Sequence, residues 1–403
     1  MLTPCLIRLR ISIAVLFSVV STVGTCADSD RQWILVTPIA LKDAAKPLIE
    51  RRKQQGWKVV VVDADRYSRD KDSAKSLREE LVKRYGFDGK SCVLLLGAWT
   101  GDKSTRIPAQ YGTRNRMKLM RTDHGFGQPE ADGSLTIAVG RLPARSVDEA
   151  KVMISKLLKF ESRETRINRV HLIVAHPGGR TELEKTIAAN VIKTTVDVRL
   201  KRINALWKTE CIMDVPNSKF QVPSEKFGSE IQRLFEQPHV FSIYSGHSSA
   251  NGFHSSTGNV FDHARFAKLR SDNPAGILVC CGCYGCQVTG FGGQGYGLSA
   301  VRSNSGPIAV IGAFGESYSA MGLLALDGLV NHSATADPRE LLGECWLGIQ
   351  HGITRGEIQP GEFLMHDMAD GTGGKVPLKD QRLEHAEMWT LLGDPAMRIP
   401  VKR

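Results

Sequence analysis

The sequence predicts an α/β protein of mostly parallel sheets flanked by helices, arranged in two subdomains. Two observations carry this. From residue 33 onward, short apolar or β-branched runs alternate with stretches of helical spacing, and the alternation restarts after a charged, aperiodic break at residues 163–168. Such alternation argues βαβ units with right-handed crossovers. In the second half, two apolar runs at residues 240–245 and 276–281 end abruptly in glycines and reactive side chains. Buried strands that stop at the ligand-binding edge of an α/β sheet have this pattern.

In chain order, residues 33–36 read as a strand and 41–55 as a helix that stops at Gly56. Residues 58–62 form a β-branched strand, 73–84 a helix and 92–96 a buried strand. Residues 97–133 are irregular, polar and glycine-bearing, longer than an ordinary connection, which marks a functional or mobile loop. A strand follows at 135–140. The capping box Ser146-Val147-Asp148-Glu149 then opens a helix with Met153, Ile154, Leu157, Leu158 and Phe160 on its apolar face. Beyond the break come a strand at 170–175 and a helix opened by a second box, Thr181-Glu182-Leu183-Glu184. A short strand at 205–211 and a helix at 225–236 lead to the strand before His247. A short helix at 264–270 precedes the strand ending at Cys281. One more buried strand at 307–312 is covered by a helix at 318–330 and by another capped by Asp337-Pro338-Arg339-Glu340.

Residues 1–27 stand apart. Arg8 and Arg10 precede the apolar run 11–20, and Thr25-Cys26-Ala27 offers a small-residue cleavage site, the layout of a secretory signal peptide. The run is short for a membrane span, so the expected location is secreted, periplasmic or cell-envelope. Removing Cys5 and Cys26 from the nine cysteines leaves seven: Cys92, Cys211, Cys280, Cys281, Cys283, Cys286 and Cys345. An odd count outside the cytosol leaves at least one thiol free or paired between chains. The formal charge of +11 falls to about +9 without Arg8 and Arg10. Basic residues are spread along the chain without an aromatic-interleaved stripe, which argues against nucleic-acid binding. Electrostatic contact with an anionic cell-surface polymer is a weak expectation, and binding that survives high salt would count against it.

If the two glycine-terminated strands are parallel neighbours, His247 and Cys281 emerge at the same carboxyl edge. A lone histidine is more often a satisfied or surface residue, and a lone cysteine more often an inert buried thiol. Their joint placement instead suits nucleophilic catalysis, with Cys281 attacking a carbonyl and His247 as general acid/base. The backbone N–H groups of Ser248 and Cys281 are candidates for the oxyanion site. Cys283-Tyr284-Gly285-Cys286 offers a redox pair or two metal ligands. Adjacent Cys280 and Cys281 cannot readily converge on one metal, and a structural zinc site pairs two separated knuckles. A disulfide or free structural thiols stiffening the loop are the plainer account, and no metal ligands are assigned. Asp123 and His124, in the irregular loop, are weak candidates for lining a substrate cleft. The other histidines lack metal spacing.

Here the residues carry a family resemblance. Tyr244-Ser245-Gly246-His247-Ser248 resembles the Tyr-Thr-Gly-His-Gly motif of the gingipain family of secreted cysteine peptidases, in the caspase-like clan. Ile277-Leu278-Val279-Cys280-Cys281 is similar to the strand that ends in that family's catalytic cysteine, with Cys281 at the nucleophile position. Further similar stretches are Val93-Leu94-Leu95-Leu96-Gly97, Thr122-Asp123-His124, residues 137–141, residues 306–312 and Trp389-Thr390-Leu391-Leu392-Gly393-Asp394-Pro395. The resemblance runs in order through residues 32–398. It implies a caspase-like fold with an N-terminal subdomain at 28–165 and a catalytic subdomain at 166–403. It also implies a His–Cys dyad, endopeptidase activity on protein or peptide substrates, no required cofactor, and a structural calcium whose ligands are not placed. The sequence departs from the family in several places. Ser248 replaces a glycine, and Pro177 stands where arginine-cleaving members carry a glutamate supporting histidine. Glu182 lies nearby as a weak cleft candidate, although helix capping explains it equally well. The acid that selects arginine has no counterpart, and an immunoglobulin-like module is missing after Pro395. A non-catalytic binding protein of the same fold and a thiol-redox or metal protein are the alternative readings.

Overall fold

The computed structural model describes residues 31–400, apart from 68–71, 86–89, 115–119, 128–130, 164–166, 177–180, 256–257, 271–274, 289–294, 336–340 and 373. The signal-peptide reading, Pro177 and the box at 337–340 therefore lie outside the described residues.

The first half forms one sheet. Strand β1 (Gln32–Thr37), helix α1 (Ile39–Gln54), β2 (Lys58–Asp63), α2 (Ser73–Tyr85) and β3 (Cys92–Leu96) follow in order. The long loop contains a small hairpin, β4 (Gln110–Tyr111) with β5 (Arg121–Thr122), before β6 (Ala138–Leu142) and α3 (Val147–Glu161). The main strands are parallel, in the order β2-β1-β3-β6. Ser146 caps α3 by accepting the Glu149 N–H at 3.2 Å. The Glu149 carboxylate turns to the Arg145 backbone N–H and guanidinium rather than back to the cap, so only half of the expected box forms.

The second half begins with β7 (Arg169–Val174), α4 (Glu182–Asn204), β8 (Lys208–Met213) and α5 (Ser224–Glu236). Strand β9 (Phe241–Ser245) leads into a small antiparallel sheet of β10 (Ser248–Ser249), β11 (Gly252–Ser255) and β12 (Gly258–Asp262). Then come α6 (His263–Ala267), β13 (Ala275–Cys281), α7 (Tyr296–Arg302), β14 (Pro307–Ala313) and α8 (Ser319–Thr335). Helices α9 (Leu342–Arg355), α10 (Pro360–Ala369) and α11 (Leu378–Met388) precede β15 (Trp389–Leu392). The large sheet runs β15-β14-β13-β9-β7-β8, parallel except for β15. The expected strand at 205–211 starts later, because α4 continues to Asn204.

The last segment ties the two sheets together. Asp394, fully buried, accepts from Arg52 Nε at 3.0 Å, Arg52 Nη2 at 2.9 Å and the Trp33 indole N–H at 3.0 Å. Arg52 also meets Glu161 at 2.9 Å. Burial opposes the charge on this guanidinium, but the two carboxylates outweigh it and raise its pKa. A side chain on Gly140 in β6 would collide with the Gly393 carbonyl, so glycine permits the close crossing.

Two buried imidazoles, His171 in β7 and His239 just before β9, give the fold an acid sensitivity. His171 and His239 lie with ring centroids 4.6 Å apart. His239 Nδ1–H donates to the Gln237 carbonyl at 2.7 Å, while Nε2 accepts the Gly276 N–H at 3.1 Å. Protonation would turn that acceptor into a second donor facing a donor. Burial lowers His239 to about 4 and, with the neighbouring ring, His171 to about 2, from 6.5. The unfolded chain therefore binds more protons below pH 6.5, and stability falls as pH drops from about 6.5 towards 4. Each ring is expected to contribute on the order of 2 kcal/mol of this loss between pH 7 and 5. Melting curves at the two pH values should show a smaller acid shift in His239→Gln than in wild type. Equal shifts would refute the assignment.

Candidate active site

The site is built at the carboxyl edge where β7, β9 and β13 lie side by side. The registers align Val174 with Ser245 and Ser245 with Cys281. Side chains alternate across a strand, so Cys280 and Cys281 face opposite ways. Cys280 is fully buried towards α7, its sulfur against the Tyr296 hydroxyl, and burial pushes its thiol to about 11. Cys281 points towards α8, where a Cβ on Gly322 would sit 3.0 Å from the Cys281 Cβ. The residue keeps some exposed surface, yet burial, with the neighbouring Cys280, pushes its thiol well above the ordinary range.

His247 is exposed on the turn after β9. The turn hangs from the buried Tyr244, whose hydroxyl lies against the carbonyls of His247 and His254. The Tyr244 ring stacks on Phe253 at 3.9 Å and 6°, and the His254 N–H donates to the His247 carbonyl at 2.9 Å. Gly282 closes the gap between the two loops. A Cβ there would run into the Ser248 hydroxyl and the Gly246 carbonyl, one residue on each side of His247. Ser248 Oγ donates to the Cys283 carbonyl at 2.7 Å. Cys283 is partly exposed, and its sulfur receives the Ser317 N–H at 3.4 Å and lies 3.8 Å from the Ser317 carbonyl, to which the thiol can donate. Tyr284 then adopts a left-handed φ of 58°, uncommon for a bulky residue, and its N–H donates to the Gly315 carbonyl at 2.8 Å. Strain of this kind clusters at active sites.

Two further imidazoles flank His247. His176 follows β7 and is nearly buried. Its pKa is lowered chiefly by burial, with the Asp214 carboxylate acting in the opposite direction and His247 among the charges it senses. Burial, and then His247, lowers His254.

The other expected site residues fare differently. Asp123 is buried and bound by Arg141 through two 2.7 Å contacts and by the Trp99 indole N–H at 3.2 Å. His124 is buried beside it, and burial lowers its pKa to about 4. Neither side chain is presented to a cleft, because the loop between β3 and β6 turns them inwards. Glu182 is exposed and paired with Lys185 at 2.7 Å. The seven described cysteines are not joined to one another in disulfides, and hydrogen bonds hold the loop. Among the described residues no group of three or more His, Cys, Asp or Glu side chains could hold a metal ion. Sequence reasoning quoted Tyr244 only as part of the histidine motif, without its anchoring role, and did not single out Tyr296 or Ser317, whose ring packing and backbone N–H have no motif.

The comparisons with known proteins agree with this architecture. The model of peptidase family C25 matches residues 27–400. The crystal structure of the Arg-specific cysteine proteinase gingipain R superposes with a TM-score of 0.67 at 16% identity, covering 92% of this chain and 78% of that one. The complex of the Porphyromonas gingivalis gingipain pro- and mature domains gives 0.63 at 15% identity, covering 91% and 79%. A further protease structure gives 0.67 at 16%, covering 92% and 79%. At these identities the likeness shows the fold, which is caspase-like. No curated protein matches in sequence.

Proposed function

The chain belongs to peptidase family C25 and is a cysteine-type peptidase, and on that premise we propose a secreted endopeptidase that works through a His–Cys dyad and a thioester. The observation that carries the reading is the parallel pairing of β9 and β13, which brings the His247 turn against the cysteine loop. The nucleophile belongs to the cysteine-rich segment 280–286, in which the sequence alone favours Cys281. In the first step His247 takes the cysteine thiol proton, the resulting thiolate sulfur forms a bond to the substrate carbonyl carbon, and the carbonyl electron pair moves to oxygen. Collapse breaks the C–N bond, and His247 gives its proton to the departing amine. Water then attacks the thioester and His247 takes its proton; the C–S bond breaks, the sulfur takes that proton back from His247, and the product acid leaves and ionises to carboxylate. The Ser248 N–H and that of the nucleophilic cysteine are the proposed oxyanion donors.

Residues 1–27 support export, and no helix among the described residues is long and apolar enough to cross a membrane. Purified protein is expected to cleave unfolded casein at internal bonds and to lose that activity on treatment with iodoacetamide. No cleavage, with no thiol reacting faster than in the unfolded chain, would favour a non-catalytic binding protein. Replacement of the family glycine by Ser248 motivates that second reading.

A further inference from the structure

Resting on the peptidase reading, we infer that the nucleophile is Cys283 rather than Cys281. The register places Ser245 level with Cys281. His247 lies two residues beyond Ser245, as Cys283 lies two beyond Cys281. Neighbouring strands are about 4.8 Å apart, whereas two residues along a strand span about 6.6 Å. Both strands end at this pair, and if the chains kept the same register beyond it, Cys283 rather than Cys281 would come level with His247.

Contacts support the alignment independently. Gly282 abuts Gly246 and Ser248, the residues on either side of His247. The Ser248 hydroxyl fixes the Cys283 carbonyl at 2.7 Å, joining the histidine turn directly to the Cys283 backbone. Cys281 is still paired within β13 and packs on Gly322 of α8. Cys283 is in the loop, partly exposed, with the Ser317 N–H aimed at its sulfur. A reactive cysteine needs access and donors that favour the thiolate, and a buried thiol without them is inert. The Ser317 N–H meets that need at Cys283. Cys281 shares that partial exposure, but its side chain packs on Gly322 of α8 and burial of the thiol raises its pKa. The left-handed Tyr284 turns the chain back over β14 immediately after Cys283.

The chemistry is that of the proposed dyad, with the bond to the substrate carbonyl carbon formed by the Cys283 sulfur. The test compares wild type, Cys283→Ala, Cys283→Ser and Cys281→Ala for casein cleavage and melting temperature. Cys283→Ala and Cys283→Ser are expected to lose at least ~1000-fold in kcat/KM, with at least one melting like wild type. Cys281→Ala is expected to keep turnover within a few-fold. An active Cys283→Ala, or a folded but inactive Cys281→Ala beside an active Cys283→Ser, would overturn the assignment. An inactive wild type would instead remove the peptidase reading on which it rests.

Discussion

His247→Ala is expected to lower kcat for peptide hydrolysis by about 10²- to 10⁴-fold, the usual contribution of a positioned general acid/base. The melting temperature should be nearly unchanged. The His247 side chain is exposed, while the turn that carries it is held through its backbone by Tyr244 and the His254 N–H. Removing the imidazole takes away the proton donor for the leaving amine without unpicking those anchors. Steady-state kinetics beside a thermal melt would separate the two effects. Turnover within twofold of wild type would show that another group moves the proton, and His176 or His254 would then be the first to examine.

Asp394→Ala is expected to cost about 3–5 kcal/mol of stability, because it leaves a buried guanidinium short of one carboxylate. Arg52 is fully buried, and Asp394 also accepts the Trp33 indole N–H and the Ala396 N–H at 3.0 Å each. Glu161 remains to hold Arg52, which places the loss at the lower end of that range. An exposed pair such as Lys46 with Asp43, also at short range, is screened by water and contributes far less. Urea unfolding of the variant reads the difference directly. A loss under about 1 kcal/mol would mean that the sheets are held together without this clamp.

Much of the fold was legible because alternation is a local signal. Runs such as Val93-Leu94-Leu95-Leu96 and Ile277-Leu278-Val279 are too apolar for anything but buried parallel strands, and both lie where the pattern puts them. β15 was less legible. Trp389-Thr390-Leu391-Leu392 is four residues long and follows α11 without a helix breaker, so only its pairing with β14 makes it a strand. The meaning of Asp394 was equally hidden, since its partner Arg52 lies 342 positions away. At the site, the end of β9 and the histidine after it could be read from sequence. Which cysteine stands across from that histidine could not. Four cysteines crowd residues 280–286, and the choice depends on where β13 stops and on the Gly282 contact with the histidine turn. Asp123 and His124 misled because a polar pair in a glycine-bearing loop looks exposed. The buried Arg141, one strand away, draws the aspartate inwards.

The central claim is that His247 acts on a thiol presented by the loop after β13. Its most direct test is to label the purified protein with peptidyl acyloxymethyl ketones that differ in the residue before the warhead, and to locate the adduct by mass spectrometry. A single adduct on Cys283, slowed in His247→Ala and lost on unfolding, is the expected result. An adduct confined to Cys281 would return the nucleophile to the end of the strand. Labelling spread over Cys283 and Cys286 regardless of His247, or none on the folded protein, would contradict the dyad itself.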